Sequence, residues 1–352
     1  MAALTAAIVL AAGKGTRIKS SIPKVLLSMN GRSLVGHAND AVVGAGAKHL
    51  VFVVRHERQK VADHIAQINP SAVIADQDDI KGTGRAAWCG LQALPADLDG
   101  SVLIMAGDSP MFTAQTLTEL TDAHAAGHNA VTVLSTVVDD ATGYGRIMRD
   151  ESGNVIGIVE HRDATDAQRE IREIGTSTYV FDIAFLRESL NDLDTNNSQG
   201  EMYLTDVVAR AHQLGKGVGS FVLQDSVQAE GVNDLVQLAS LRAEKTVASW
   251  RRGCAQALQS STRLPHTSTS TSPWNLTPSS SLAPFFVARR TWRPSPSSAP
   301  IASLTPSPWA NAPSSHMRSP RASRSRPVRS SHHSACLLPN GKKGPPGPQD
   351  AG

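Results

Sequence analysis

A glycine-rich loop near the amino terminus is the strongest chemical feature of the sequence. It runs Leu10-Ala11-Ala12-Gly13-Lys14-Gly15-Thr16-Arg17 and is followed by Pro23-Lys24-Val25-Leu26. Its glycines allow the backbone to approach a triphosphate closely, and its N–H groups can form an anion-binding nest. Arg17 and Lys24 place fixed positive charge where a departing pyrophosphate would gather negative charge. The spacing fits neither a Walker loop nor the dinucleotide fingerprint. Taken alone, the loop is equally compatible with an ordinary strand-to-helix turn carrying solvated bases.

A second candidate is Asp108, which follows the continuous apolar run 101–106. A carboxylate is a hard oxygen donor of the kind that Mg²⁺ prefers. Taken alone, an aspartate at this place is also typical of a helix cap.

The elements that must position these residues alternate between apolar strands and amphipathic helices. Such alternation predicts an α/β fold, a Rossmann-like, doubly wound, mixed but mostly parallel sheet covered by helices on both faces. Ligands of such sheets bind at the carboxyl ends of the strands, and Gly13 and Asp108 both follow such ends. We predict strands at 6–10, 50–54, 72–75, 101–106, 143–148, 155–160, 178–181 and 218–223, and helices after Ser33 and at 57–67, 84–94, 203–214 and 234–245.

Further motifs occur in an order and spacing that resemble the sugar nucleotidyltransferase superfamily. Together they are most similar to bacterial bifunctional N-acetylglucosamine-1-phosphate uridyltransferases, and the resemblance covers about residues 4–245. It implies the nucleotide-diphospho-sugar transferase fold. The motifs after the loop are Gly82-Thr83-Gly84, Gly107-Asp108-Ser109-Pro110, Thr142-Gly143-Tyr144-Gly145-Arg146-Ile147, Val159-Glu160-His161-Arg162-Asp163-Ala164, Gln199-Gly200-Glu201-Met202-Tyr203-Leu204-Thr205-Asp206 and Glu230-Gly231-Val232-Asn233.

The resemblance implies a metal-dependent transfer of a uridylyl group from UTP to N-acetylglucosamine 1-phosphate, which yields UDP-N-acetylglucosamine for cell-wall precursors. Asp108 and Asn233 resemble the two protein ligands of the Mg²⁺ ion, and only the resemblance pairs them. Arg17 and Lys24 resemble the catalytic cations. The positions that resemble nucleotide-binding residues are Leu10, Ala12, Gly13, Lys24, Gln77, Gly82 and Thr83, and those that resemble sugar-binding residues are Gly145, Glu160 and Thr205.

One departure from the family pattern concerns the sugar pocket. The family has asparagine, a small residue and glycine after a Glu-Ile pair, whereas this chain has Glu173-Ile174-Gly175-Thr176-Ser177. Gly175 cannot supply the hydrogen bond that the asparagine gives to the sugar, which costs about 0.5–1.5 kcal/mol where water replaces it. Thr176 or Ser177 is a candidate substitute. A second departure, Ile80 in place of a glutamine, falls at a variable position.

The composition changes abruptly near Thr246. After it lie 13 of the 34 Lys and Arg residues and 16 of the 20 prolines, with Asp350 the one acid. We therefore predict a uridyltransferase domain at 1–245 and a basic Ser/Pro/Arg tail at 246–352 that is disordered or read out of frame. The tail shows no six-residue rhythm, so we expect the family's β-helix acetyltransferase domain to be missing. The family forms a homotrimer largely through that domain, so its loss removes the basis for predicting a homotrimer here.

The remaining features of the sequence exclude some classes of protein and leave others open. The sequence holds no apolar run of the ~18 residues that span a bilayer. Three cysteines without metal or disulfide spacing fit a cytoplasmic protein. We expect no specific nucleic-acid partner. The alternatives are a nucleotidyltransferase for another sugar phosphate, a catalytically impaired nucleotide-binding remnant, and a nucleic-acid binder working through the basic tail.

Overall fold

The computed structural model describes residues 4–261 of the chain. The chain divides into two units, 1–269 and 270–352, and only the first contains described residues. The strands are β1 (Ala6–Leu10), β2 (Ser28–Met29), β3 (Arg32–Ser33), β4 (His49–Val54), β5 (Val73–Asp76), β6 (Ser101–Ala106), β7 (Val131–Val137), β8 (Arg146–Arg149), β9 (Val155–Val159), β10 (Glu173–Asp182) and β11 (Val218–Leu223). The helices are α1 (Leu34–Gly44), α2 (Arg58–Ile68), α3 (Thr83–Gln92), α4 (Ala114–Ala126), α5 (Asp166–Arg169), α6 (Ile183–Leu190), α7 (Asp206–Gln213) and α8 (Leu235–Ser261).

The main sheet of the described residues has the strand order β11-β7-β10-β6-β1-β4-β5, and β8 and β9 extend it beside β10. β1 is parallel to β4 and β6, β4 is parallel to β5, and β11 is parallel to β7. β10 runs antiparallel to both β6 and β7. The predicted mixed, mostly parallel α/β sheet is therefore confirmed.

The sheet is covered on both faces because β1 is apolar at every position. Ala6 and Ile8 belong to one buried cluster, and Ala7 and Val9 belong to a second. Alternate residues of a strand point to opposite faces, so each cluster fills one side of the sheet. Burial on both faces fixes the register of β1 and hence the place where the loop after it begins.

A third, smaller core joins the amino-terminal loop to α8. Val232, Leu238 and Leu241 pack with a set of apolar side chains from the first 34 residues. This core brings two segments that are distant in sequence into contact beside the carboxyl end of β1. The apolar side chains that the first 34 residues contribute to this core are Ile18, Leu27, Met29 and Leu34.

Residues 246–261, the first part of the predicted tail, continue α8, so disorder is not what the structure shows there. Alanine, leucine, glutamine and arginine have high helix propensity, and the first proline after Thr246 is Pro265. The rest of the predicted tail lies outside the described residues.

Within the described residues, no helix is long and apolar enough to cross a membrane.

Candidate active site

The loop after β1 is anchored at both neighbouring strands. The N–H of Ala11 donates to the carbonyl of Val53 at 2.8 Å, and the N–H of Gly107 donates to the carbonyl of Leu10 at 2.9 Å. Leu10 and Ala12 are half-buried, whereas Gly13 is exposed. The predicted phosphate-binding segment therefore starts at a fixed point between the carboxyl ends of β4 and β6.

Gly15 is the position where this loop requires glycine. Its φ is +63°, and a Cβ atom there would lie 2.7 Å from Cβ of Lys24. That separation is too short for two carbon atoms in contact. The absence of a side chain at Gly15 thus lets Lys24 lie against the loop.

Lys24, Arg17, Asp108 and Asn233 form one polar cluster. Lys24 makes an ion pair with the Asp108 carboxylate, and its Nζ also donates to Oδ1 of Asn233 at 3.3 Å. Arg17 Nη2 donates to the same Asn233 oxygen at 2.8 Å. The N–H of Val232 donates to the Asp108 carbonyl at 3.0 Å, which fixes the two chain segments against each other. The structure therefore brings together all four residues predicted to hold the metal and to stabilise charge.

The electrostatics of this cluster suit a negatively charged ligand beside a cation. Asp108 and Asn233 each present a hard oxygen, and both oxygens now accept from cationic side chains. A divalent ion can replace those cations at the same oxygens, since it needs few protein ligands besides water and phosphate. Burial raises the pKa of the nearby Glu230 carboxyl, and burial together with the charges of Glu230 and Asp108 raises the pKa of Tyr144.

The predicted nucleotide-binding residues Gln77, Gly82 and Thr83 lie around the start of α3. The N–H of Gln77 donates to the carbonyl of Val54, and its side-chain amide donates to the carbonyls of Ile80 at 3.0 Å and Gly82 at 3.2 Å. The Thr83 hydroxyl accepts from the N–H of Leu204 at 3.1 Å. Gln77 therefore shapes the 77–82 loop, and Thr83 joins it to the 202–205 segment.

The predicted sugar-binding residues lie at the other end of that segment. The buried Thr205 hydroxyl donates to Oε1 of Glu160 at 3.2 Å, and Oε2 of Glu160 would lie 3.6 Å from a Cβ atom built on Gly145. Burial raises the pKa of Glu160, which the hydrogen bond from Thr205 partly offsets. Gly145 and Thr205 thus both lie beside the Glu160 carboxylate.

Comparison with known proteins agrees with this arrangement. Residues 7–173 match the family described as the MobA-like NTP transferase domain. The protein named bifunctional protein GlmU from Pseudarthrobacter chlorophenolicus is 51% identical over 262 residues, which are 73% of this chain and 53% of that protein. GlmU from Kineococcus radiotolerans is 50% identical over 247 residues, covering 70% of this chain and 50% of that protein. GlmU from Micrococcus luteus is 47% identical over 295 residues, covering 79% of this chain and 59% of that protein.

The chain spans about half the length of the curated relatives it matches. The resemblance inferred from the motifs is confirmed for this part of the chain. Nucleotidyltransferases of this kind generally use a divalent metal, and the oxygen donors of Asp108 and Asn233 fit one.

Gly175 lies beside the predicted sugar-binding residues. Its N–H donates to the carbonyl of Gly145 at 3.0 Å, and the side chains nearest to a Cβ atom there would be Ile158 and Ile147, at 3.4 and 3.6 Å. The Thr176 hydroxyl is buried and donates to the carbonyl of Leu134 on β7, so it does not replace the missing asparagine. Ser177, the other candidate substitute, is exposed.

For the acceptor that the resemblance implies, N-acetylglucosamine 1-phosphate, Gly175→Asn is expected to lower KM about 2- to 10-fold, because one hydrogen bond contributes about 0.5–1.5 kcal/mol. The new Cβ makes only ordinary van der Waals contacts, so it is expected to fit without a shift of the backbone. Steady-state kinetics at saturating UTP measures the effect. Gly175→Ala is the matched control, since it adds the Cβ without the amide. Equal KM values for the two variants would contradict the assignment.

Sequence reasoning gave no role to Arg146, although it is part of a quoted motif. Its side chain is almost fully buried, with 2% of the residue exposed. A charged residue at a strand position between Gly145 and Ile147 was the available signal, since an arginine is rarely buried without a specific partner.

Proposed function

We propose that the chain is a uridyltransferase that joins UTP and N-acetylglucosamine 1-phosphate, giving UDP-N-acetylglucosamine and pyrophosphate for cell-wall precursor synthesis. The observation that carries the proposal is the polar cluster near the carboxyl ends of the parallel strands. In it Lys24 contacts both Asp108 and Asn233, and Arg17 donates to Asn233. Such a cluster suits a reaction in which negative charge is rearranged rather than one that needs a protein nucleophile.

The substrates would occupy the two groups of residues that flank this cluster. We place the uracil at the 77–83 loop and the triphosphate along the glycine-rich loop, with Leu10, Ala12 and Gly13 beneath the nucleotide. The acceptor sugar lies between Gly145, Glu160 and Thr205, whose peptide and side-chain groups suit sugar hydroxyl and amide groups. The 202–205 segment contacts both groups and therefore sets their separation.

The reaction is an in-line displacement at the α-phosphorus. An oxygen of the sugar phosphate forms the new bond, the bond between the α-phosphorus and the bridging oxygen breaks, and pyrophosphate leaves with the electron pair. The attacking phosphate is already ionised, so positioning and charge neutralisation supply most of the rate. Lys24 and Arg17 neutralise charge on the phosphates.

Asp108 and Asn233 would hold Mg²⁺, which supplies further charge stabilisation when bound. We assign magnesium because the donors are one carboxylate and one amide oxygen, a hard and sparse set that leaves room for water and phosphate.

A substrate panel tests the proposal. The full chain is assayed for pyrophosphate release with each of the four nucleoside triphosphates, paired with N-acetylglucosamine 1-phosphate, glucosamine 1-phosphate or glucose 1-phosphate. The proposal expects kcat/KM to be highest for UTP with N-acetylglucosamine 1-phosphate. A preference for another pair would show a different nucleotidyltransferase. Binding of UTP by calorimetry without pyrophosphate release from any pair would show an impaired remnant.

A further inference from the structure

The buried side chain of Arg146 connects the two loops that carry the proposed sugar-binding residues. Its Nη1 donates to the carbonyl of Tyr144, in the loop between β7 and β8. Its Nη2 lies 3.4 Å from Nδ1 of His161 and donates to the carbonyl of Arg169 at 3.3 Å, both in the connection between β9 and β10. One guanidinium group therefore holds the segment before β8 against the segment after β9.

The contact with Tyr144 bears directly on Gly145. The carbonyl of Tyr144 and the N–H of Gly145 belong to the same peptide group, which is planar and trans. In a trans peptide these two groups point in opposite directions. Holding the carbonyl toward the guanidinium therefore fixes the direction in which the Gly145 N–H points.

The contacts with His161 and Arg169 bear on Glu160. His161 follows Glu160 directly, and the N–H groups of Asp163 and Ala164 both donate to the Glu160 carbonyl at 3.0 Å. This turn is held by Arg146 on one side. On the other, Asp163 accepts from the N–H of Ser198 at 2.9 Å.

Arg146 is an unusual choice for a purely structural contact. None of the three groups that accept from its guanidinium is a carboxylate, its Nε lacks a hydrogen-bond partner, and burial lowers its pKa. Burying a cation without a paired acid is costly. An apolar side chain would fill the same volume without that cost, but it would not hold three acceptors from two loops.

We propose that Arg146 is a positioning residue that sets the separation and orientation of Gly145 and Glu160 and thereby the affinity for the acceptor sugar phosphate. It acts through the peptide group of Gly145 and the turn after Glu160, and it does not contact the substrate. The inference rests on the proposed function, because that function defines the acceptor.

The test compares Arg146→Met with Arg149→Met in the full chain. Arg149 lies on the same strand and makes an ion pair with Glu173 at 2.6 Å, together with bonds to Gly153 and Ser220. It contacts neither Gly145 nor Glu160 in the described hydrogen bonds. Both variants are expected to melt at a lower temperature. Only Arg146→Met is expected to raise KM for N-acetylglucosamine 1-phosphate, by about tenfold or more, with KM for UTP unchanged within about twofold.

Arg146→Lys supplies a milder variant, because a lysine keeps the charge but has no planar fork to reach all three acceptors. Its KM for the sugar phosphate is expected to lie between those of wild type and Arg146→Met, and to exceed that of wild type about threefold. An unchanged sugar-phosphate KM in Arg146→Lys would overturn the inference, as would equal changes in both KM values in Arg146→Met. Wild-type turnover is a separate readout. If the wild-type chain shows no turnover, the proposed function is refuted. If the wild-type chain is active but the Arg146 variants keep its KM for the sugar phosphate, only the role of Arg146 is refuted.

Discussion

Asp108→Ala is expected to abolish uridylyl transfer while the chain stays folded. The carboxylate supplies the charged oxygen of the proposed metal site and pairs with Lys24. Without it, the site keeps one neutral amide donor and two cations, which is a poor site for a divalent ion. Loss of metal-assisted charge stabilisation costs several kcal/mol in the transition state, so kcat should fall about a thousandfold or more.

Thermal unfolding and nucleotide binding separate this effect from misfolding. Asp108 is partly exposed, with 26% of its side chain accessible, so the free energy of unfolding should change by about 1 kcal/mol at most. Asp40→Ala is the matched control, because Asp40 pairs with Arg32 on an exposed face of α1. That variant should keep wild-type kcat. Full activity in Asp108→Ala would show that the metal assignment is wrong.

Gly82→Ala is expected to disrupt the proposed uracil site through backbone overlap. Gly82 has a φ of +116°, a conformation that residues with a side chain rarely adopt. A Cβ atom there would overlap the carbonyl oxygen of Met202 and lie 2.5 Å from its nitrogen. Two hydrogen bonds depend on this close approach, from Met202 N to the Lys81 carbonyl at 2.9 Å and from Gly84 N to the Met202 carbonyl at 2.8 Å.

The expected result is a loss of about 2–4 kcal/mol in the free energy of unfolding, from backbone strain and two broken hydrogen bonds. KM for UTP should rise about tenfold or more, since the 77–82 loop loses its fixed position. Urea unfolding and steady-state kinetics measure the two effects.

Gly200→Ala is the control for conformation alone. Gly200 also has a positive φ, of +62°, but a Cβ atom there would meet nothing within 4 Å. It should lose only about 1–2 kcal/mol and leave KM for UTP near the wild-type value. If Gly82→Ala and Gly200→Ala lose equal free energy of unfolding, overlap with Met202 is not the cause of the destabilisation.

Local sequence patterns predicted the elements that carry the glycine-rich loop and Asp108. β1 and β6 have the predicted bounds, because each is a continuous apolar run ended by a turn sequence. The cap at Ser33 is also confirmed, since its side chain accepts from the N–H of Gly36.

Other elements were missed because their buried faces are partly polar. No helix was predicted at 114–126, where α4 buries Thr116, Thr121 and His124 along with Leu117 and Leu120. The strand β7 was not recognised because its buried residues include Thr132, Ser135 and Thr136. Such residues hide the apolar period from which elements are inferred.

The candidate site was only partly accessible to sequence reasoning. The pairing of Asp108 with Asn233 depends on the packing of Val232 and Leu238 in the third core, which no local pattern reveals. The family resemblance supplied that pair. The contacts of Arg146 could not be inferred from either source, because they join two loops through backbone carbonyls.

The most direct test of the account measures UDP-N-acetylglucosamine formation by the full chain, supplied with UTP and N-acetylglucosamine 1-phosphate. Mg²⁺ is titrated from zero, in the presence of a chelator, to a saturating concentration. The account predicts no product without metal, and a saturating rise with Mg²⁺ in which one pyrophosphate is released for each UDP-N-acetylglucosamine formed. Product formation that is independent of the metal, or no product at any Mg²⁺ concentration from a folded chain, would contradict it.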